Sequence, residues 1–138
     1  LNYASWNGTS WGLTTVASSG GECGANCDLA IDSSDRPHVI WDMDVNGQYC
    51  KYATIDSTGA WQKETVFHRG IVEIGAMSLA LGFSSEARAV VPHVAFRVGT
   101  KLHYSYKDPD SGEWVDTEVD PVRSAGADNS IAVGGDGR

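Results

Sequence analysis

The chain has 138 residues, with 16 glycines, five tryptophans and a formal net charge of −8 from 10 Lys and Arg against 18 Asp and Glu. This length suffices for one ordinary domain core, and the acidic balance argues against nucleic acid, whose phosphates require a basic surface. No apolar run approaches the roughly 20 residues needed to span a bilayer, so we expect a soluble, turn-rich, all-β protein.

The chain opens on two short strand-like segments within residues 1–16. The string Leu1-Asn2-Tyr3-Ala4-Ser5-Trp6 aligns with Cys50-Lys51-Tyr52-Ala53-Thr54-Ile55, and residues 12–16 continue the same alignment. Because the later string is the third of four predicted strands, residues 1–16 are predicted to hold strands three and four of an incomplete unit.

Residues 29–66 contain four apolar runs separated by turn-forming residues. Asn46-Gly47 is the strongest of these turns, since both central residues of a two-residue hairpin need positive φ. Four strands joined this tightly predict an antiparallel meander. The runs cover residues 29–32, 37–42, 49–56 and 61–66.

The landmarks of this segment recur at intervals of about 50 residues. Leu29-Ala30-Ile31 returns as Leu79-Ala80-Leu81 and as Ile131-Ala132-Val133, and Pro37-His38-Val39 returns as Pro92-His93-Val94. A repeat of this size with four strands per unit is typical of β-propeller blades. The predicted segment 1–138 thus holds a partial blade (1–16), two full blades (29–66 and 79–119) and the first strand of another partial blade (128–138).

A Gly-Ala pair precedes each predicted first strand, beginning at Gly24, Gly75 and Gly126, and we expect connectors there. Cys23 and Cys27 lie in the first connector, where a local disulfide and two buried thiols are both open alternatives. No histidine or further cysteine lies nearby to close a zinc site. Cys50 is predicted to be a small core residue on a strand.

Several residues that recur once per unit are interpreted as scaffold. Histidines at the start of each second strand are expected to join strands by hydrogen bonds and not to catalyse. The recurring tyrosines and tryptophans are expected to pack between blades, although an exposed tryptophan can stack on a sugar. These residues are His38 and His93; Tyr3, Tyr52 and Tyr104; Trp41 and Phe96; and Trp11, Trp61 and Trp114.

A ligand site is expected where the repeats differ, because shared positions build the scaffold. In a propeller, the loops from strand four to the next strand one share a face with those from strand two to strand three. The opposite face would carry Asp35-Arg36 and a longer insertion at residues 84–91. The unshared polar residues on the first face, and the predicted ligand-binding set, are Glu22, Asp42, Asp44, His68, Arg69, Glu73, Arg97 and Arg123.

The string Asp42-x-Asp44-x-Asn46-Gly47 has the first half of a calcium loop, in which alternating oxygens face one cation. Its twelfth position falls on Ala53, which supplies no carboxylate. The Asn-Gly pair is accounted for by the hairpin turn, so calcium is kept only as an alternative to the prediction of no cofactor and no metal site.

The turns between strands three and four, Asp56-Ser57-Thr58-Gly59-Ala60-Trp61 and Asp110-Ser111-Gly112-Glu113-Trp114, resemble the Asp-box of sialidase-type (BNR-like) β-propeller repeats. That box reads Ser-x-Asp-x-Gly-x-x-Trp; here the serine stands elsewhere and the Gly-to-Trp spacing is one residue shorter. The resemblance implies a propeller over nearly the whole chain. It extends to no catalytic residue: Arg69, Arg97 and Arg123 are not matched to the three arginines with which sialidases hold a carboxylate.

Two classes of function follow from these patterns. The leading one is a non-catalytic module that recognises carbohydrate or protein and is secreted or extracellular, because repeated inter-blade grooves suit multivalent recognition. The alternative is a fragment of a sialidase-like or other glycan-processing enzyme. No catalytic motif is present, and neither nucleic acid nor a membrane is an expected partner.

The number of blades bears on assembly. About three blades are fewer than the four to eight that propellers use. We therefore expect either a homo-oligomer, with a dimer completing one ring, or membership of a longer chain.

Overall fold

The computed structural model of the chain describes residues 1–18, 22–44, 47–120 and 125–135, and at residues 22 and 23 the backbone alone. These residues form ten β-strands, and none of them belongs to a helix that could cross a bilayer. In chain order the strands are β1 (Asn2–Trp6), β2 (Trp11–Thr15), β3 (Glu22–Ile31), β4 (Pro37–Asp44), β5 (Gln48–Ile55), β6 (Trp61–His68), β7 (Ile74–Ser84), β8 (Ala89–Val98), β9 (Lys101–Lys107) and β10 (Trp114–Asp120).

The strands of the described residues form three antiparallel sheets. Strands β1 and β2 make an N-terminal hairpin, β3 to β6 make the first sheet, and β7 to β10 make the second sheet. Within each sheet, strands that are neighbours in sequence are hydrogen-bonded neighbours in space. This confirms the all-β prediction, and both four-stranded sheets have the predicted meander order.

The same turn joins the last two strands of each unit. In the first sheet, a side-chain oxygen of Asp56 accepts a hydrogen bond from the N–H of Thr58 at 2.8 Å, and Gly59 follows with φ of 84°. Asn7 in the hairpin and Asp108 in the second sheet accept equivalent bonds. These carboxylates and amides therefore serve turn geometry, as Asp and Asn commonly do.

The first strand of each four-stranded sheet begins earlier than predicted, because the Gly-Ala pairs lie in β-bulges. The pairing register shifts between Gly75 and Ser78 in β7, and a matching shift follows Cys23 in β3. The bulges contain Gly24, with φ of 79°, and Ala76, with φ of 45°. The prediction of connectors is wrong at these two positions, because extra residues with positive φ are accommodated inside a strand.

The cysteines divide by burial. Cys50 lies on β5 with no exposed surface, which confirms its predicted core role, and burial raises the pKa of its thiol. Cys27 carries a free and exposed thiol, which matches neither the predicted disulfide nor a buried thiol. The side chain of Cys23 lies outside the described residues.

Half of the insertion at residues 84–91 is strand, and residues 85–88 form a turn between the strands. Strands β7 and β8 have 11 and 10 residues, and their pairing runs to Ser84 opposite Ala89. Arg88, with φ of 53°, lies in the short turn between them. The second sheet therefore carries a longer hairpin than the first, where the corresponding strands end at Ile31 and resume at Pro37.

Residues 125–135 lie beside β7 and include no strand. The N–H of Ile131 donates to Ser78 Oγ at 3.2 Å, as the N–H of Leu79 donates to Asp28 Oδ2 at 2.8 Å. The two contacts are equivalent in the repeat. The first strand predicted at residues 131–134 is not formed there, because no described second strand pairs with it. Residues 136–138 lie outside the described part.

Apolar side chains are buried between neighbouring sheets. One cluster joins the hairpin to the first sheet through Val16 and Trp41, and a larger one joins the two four-stranded sheets through Ile40 and Phe96. Trp41 and Phe96 are 2% and 0% exposed. Burial of this apolar surface is the main stabilising contribution, and the predicted packing role of both residues is confirmed.

A Tyr–Trp contact is repeated between successive units. Trp61 meets Tyr3 of the hairpin edge-on with ring centroids 5.6 Å apart, and Trp114 meets Tyr52 of the first sheet likewise at 5.3 Å. The indole N–H of Trp61 donates to Thr14 Oγ1 at 3.4 Å. The predicted packing between units is confirmed for these four aromatic residues.

Candidate ligand-binding groove

A groove of about 530 Å³ lies between the first and second sheets. Its rim comes from three turns, which are brought together because the two meanders pack side by side. The inter-sheet groove, as we call it, is lined by residues of these turns and of the adjoining strands, namely Ser33, Ser34, Arg36, His38, Tyr52, Thr54, Glu64, Phe83, Arg88, Ala89, Val90, Pro92, Lys107, Asp108, Pro109 and Gly112.

One wall of the groove is organised by the buried carboxylate of Asp32. This side chain accepts hydrogen bonds from the N–H of Ser34 at 2.8 Å, the N–H of Arg36 at 2.9 Å and Arg36 Nε at 2.8 Å. Burial alone would raise the pKa of Asp32, but these donors outweigh it and lower the pKa to about 2. Asp32 therefore stays ionised and holds the half-exposed guanidinium of Arg36 at the rim.

Behind this wall lies a chain of polar contacts through His38. Its Nδ1 lies 2.5 Å from Tyr52 Oη, and its Nε2 lies 3.5 Å from Asp32 Oδ2. Burial lowers the pKa of His38 and raises the pKa of Tyr52, the Asp32 carboxylate offsetting part of the first shift. His38 is therefore held neutral near pH 7, with both ring nitrogens engaged.

The second sheet repeats the His–Tyr pair without the carboxylate. His93 Nδ1 lies 2.8 Å from Tyr104 Oη, while Gly82 stands at the position of Asp32. The pair thus joins second and third strands in both sheets, as predicted. Because Tyr52 is only 3% exposed, its hydroxyl is not presented to the groove as a nucleophile.

The opposite wall is tied across the sheets by Glu64. Its carboxylate accepts from Lys107 Nζ at 2.5 Å and from the indole N–H of Trp114 at 2.9 Å. The donors lie on the second sheet and the acceptor on the first. These contacts fix the spacing of the walls, so the groove is preformed.

The groove also presents groups that are not engaged. Phe83 at the long β7–β8 hairpin is 57% exposed. Arg88 in the same hairpin is exposed and forms no ion pair with any of the described residues. An aromatic face, an unpaired cation and the hydroxyls of Ser33 and Ser34 together suit a polar ligand with one apolar face, whereas the Thr54 hydroxyl already donates to Pro37 O at 3.0 Å.

Three of the sequence-predicted site residues lie close together at the other end of the sheets. Asp42 accepts from Asn26 Nδ2 at 2.5 Å and from its N–H at 3.0 Å. Arg97 donates to Glu73 at 2.6 Å. Asn26 and Arg97 both pass within 3.4 Å of where a Cβ on Gly75 would lie, so they are neighbours over this glycine. These side chains therefore hydrogen-bond within the protein and pack over the bulge at Gly75.

His68, Arg69 and Asp44 lie beyond this group, at the ends of β6 and β4. The ring of His68 stacks on Tyr49 with centroids 4.2 Å apart, and the backbone N–H of Arg69 donates to Gln48 O at 3.3 Å. The side chain of Glu22 and the whole of Arg123 lie outside the described residues. The predicted set is therefore divided into two groups, neither of which lines the inter-sheet groove.

A smaller cavity of about 420 Å³ lies where the bulges meet residues 127–129. It is lined by Asn26, Met77 and Asn129 among others. Asn129 donates to the carbonyl of Ala76, so part of its amide is used in joining the segments. Across residues 1–18, 22–44, 47–120 and 125–135, no group of three or more potential metal ligands is found, and the Asp42 carboxylate of the half calcium loop is engaged by Asn26.

The groove residues that sequence reasoning missed are of two kinds. His38 and Tyr52 belong to repeated strands and were predicted only as scaffold positions, and Glu64 was not assigned any role. Phe83 and Arg88 belong to the insertion at 84–91 and its border, which breaks the repeat and is therefore a detectable feature of the sequence. No protein family model, curated protein or solved structure matches this chain.

Proposed function

We propose that the chain is a segment of a β-propeller and acts as a non-catalytic carbohydrate-recognition module, with the inter-sheet groove as its sugar site. The propeller arrangement is supported by two consecutive meanders that pack through a repeated Tyr–Trp contact, and by the resemblance of their turns to the Asp-box. A secreted or extracellular location belongs to the same proposal.

The observation that carries the ligand assignment is the exposed pair Phe83 and Arg88 at the mouth of a preformed groove. Phe83 offers a face on which the C–H side of a sugar ring can stack. Arg88 offers an unpaired guanidinium, which binds a carboxylate or sulfate in a fork geometry. Glycans that carry an acidic group are therefore the preferred class.

The engagement of the Tyr52 and Glu64 side chains by other residues supports binding over catalysis. Tyr52 and Glu64 are cross-strand partners, which superficially suits the Tyr/Glu pair of sialidases. However, the Tyr52 hydroxyl is buried against His38, and Glu64 is neutralised by Lys107. The enzyme alternative predicts release of sugar from a glycoside substrate, and we expect none.

The test is binding of the labelled chain to a glycan array, followed by titration calorimetry on the strongest acidic glycan. We expect Phe83→Ala and Arg88→Ala each to weaken binding at least tenfold, or about 1.4 kcal/mol. Both side chains are exposed, so folding should be unaffected. Arg69→Ala is the matched control. Arg69 belongs to the ligand-binding set predicted from the sequence but lies at the opposite end of the sheets, so this variant should bind like the wild type.

Two outcomes would overturn the proposal. One is the absence of binding to any glycan on the array. The other is binding that Arg69→Ala abolishes while Phe83→Ala and Arg88→Ala leave it intact, which would move the site to the opposite end of the sheets.

A further inference from the structure

We propose that two copies of this chain associate head to tail, with Trp11 of one copy packing on Tyr104, Thr117 and Val119 of the other. This contact goes beyond sugar binding and does not depend on it. It would repeat between chains the contact that already joins successive units within one chain.

The internal contact has two complementary halves. The half on the following unit is a tryptophan at the start of the last strand, which we call the Trp face. The half on the preceding unit is a cross-strand pair, Tyr3 with Thr14 in the hairpin and Tyr52 with Glu64 in the first sheet. We call this the Tyr face, and in both cases it receives the indole N–H and the edge of the ring.

The second sheet has a Tyr face on which no described tryptophan packs, although the Tyr104 ring is partly buried against His93 and Tyr106. Tyr104 and Thr117 are cross-strand partners in the same register as Tyr52 and Glu64. The equivalent valines report the difference: Val16 and Val66 are 1% and 6% exposed, whereas Val119 is 54% exposed. The same residue at the same position of the repeat is therefore buried twice by a following unit and left open once.

The hairpin has the unpaired Trp face. Trp11 is 66% exposed, and its one ring contact among the described residues is with its cross-strand neighbour Trp6, which is 54% exposed and tilted by 56°. Leu13 beside them is 75% exposed. Trp61 and Trp114, at the equivalent positions, are partly buried by the preceding unit. An exposed group of large apolar side chains on one strand pair is typical of an interaction site.

The open Trp face and the open Tyr face are the two halves of one known contact, and every copy carries both. Such an interface is heterologous, so it closes into a ring if the rotation between copies permits. A second copy supplies the matching half of the contact, and the contact would have the same geometry as the one between units within the chain. The sequence repeat predicts two copies in the closed assembly.

The experiment measures the solution mass of the 138-residue chain by light scattering coupled to size-exclusion chromatography, over a wide concentration range. We expect an assembly of at least two chains. Trp11→Ala and Val119→Asp should each raise the dissociation constant about thirtyfold or more, as loss of a central interface residue does. Ile71→Asp, which replaces a residue 95% exposed outside both faces, is the matched control and should assemble like the wild type.

Mixing the two variants tests the head-to-tail geometry. Trp11→Ala keeps an intact Tyr face and Val119→Asp keeps an intact Trp face, so together they should form a complex joined by one interface, although each alone is monomeric. Circular dichroism should show that both variants are folded, because both residues are exposed.

A wild-type chain that stays monomeric at every concentration would overturn the proposal. So would assembly that survives either variant, or two variants that do not complement each other on mixing. None of these results bears on glycan binding, which the groove variants measure separately.

Discussion

At the scale of single residues, Trp11 and Trp114 are the same residue at the same position of the repeat with different surroundings. Trp114 packs on Tyr52 and donates to Glu64, whereas Trp11 is 66% exposed. We expect Trp114→Ala to lower the free energy of unfolding by about 3 kcal/mol. Trp11→Ala should change it by less than about 0.5 kcal/mol.

Urea unfolding followed by circular dichroism measures both changes, at chain concentrations low enough to prevent association. Trp61→Ala, partly buried against Tyr3, should fall between the two. If Trp11→Ala and Trp114→Ala lowered the free energy of unfolding equally, the contact of Trp114 with Tyr52 and Glu64 would contribute no stability of its own.

The sequence predicted a structural role correctly for residues that recur in the repeat. His38, Tyr52 and Trp61 were predicted as scaffold because each returns in another unit, and their contacts confirm it. Asp32 has no such counterpart, since Gly82 stands at its position. Its role in holding Arg36 depends on a turn whose hydrogen bonds only the folded chain displays, so no sequence pattern indicated it.

At the scale of elements, the two bulges solve the same backbone problem with different residues. Gly24 has φ of 79° in β3, and Ala76 has φ of 45° in β7. A left-handed conformation costs a residue with a Cβ roughly 1–2 kcal/mol, and glycine recovers part of this at the cost of unfolded-state entropy. We expect Ala76→Gly to raise the free energy of unfolding by up to about 1 kcal/mol.

The reverse substitution is the control for this prediction. Gly24→Ala would introduce a Cβ at positive φ and 3.0 Å from Leu1 Cδ1, so it should lower the free energy of unfolding by more than about 1 kcal/mol. Urea denaturation of both variants measures the difference. A stabilising Gly24→Ala or a strongly destabilising Ala76→Gly would contradict the strain argument.

Element boundaries were predicted less well than element order. The boundary errors at the Gly-Ala pairs and at the insertion 84–91 have the same cause. A Gly-Ala pair is typical of a connector, but a bulge can hold it inside a strand, as in β3 and β7. Likewise, the insertion at 84–91 resembles a loop in sequence although half of it extends the two strands of a hairpin. In both places backbone pairing across the sheet overrides local turn propensity, and only the register reveals it.

At the scale of the whole molecule, the sequence predicted what the repeat encodes, namely antiparallel meanders that pack through shared aromatic residues. It predicted grooves between blades but not the residues that line this one, because the lining depends on how far apart two sheets are held. That spacing comes from single-copy contacts such as Lys107 with Glu64 and from the lengths of three unrelated turns. The described residues of the predicted site therefore lie in two groups at one end of the sheets, while the groove lies at the opposite end.

The same packing makes the stability of the whole molecule depend on pH in two windows. Burial lowers the pKa of His38 and of His93 from 6.5, the Asp32 carboxylate offsetting part of the shift in His38. The folded state therefore favours the neutral imidazoles, and the stability this confers is present above pH 6.5 and declines as the pH falls below it. Asp32 has the opposite sign of charge: its pKa is lowered from 3.8 to about 2, so its contribution is lost only as the pH falls from 3.8 towards 2.

We therefore expect the free energy of unfolding to decrease between about pH 7 and pH 5, and to decrease further in stronger acid. Urea unfolding across this range measures both steps. His93→Gln should flatten the first step because it removes one of the two imidazoles whose pKa is lowered by burial, whereas His68→Gln, at an exposed position, should leave the profile unchanged in shape. A profile that is level from neutral pH to pH 5, or one whose slope His93→Gln does not alter, would show that protonation of these histidines does not oppose folding. Because His93 pairs with Tyr104, acid should also weaken head-to-tail assembly before the chain unfolds, since Tyr104 forms part of the Tyr face.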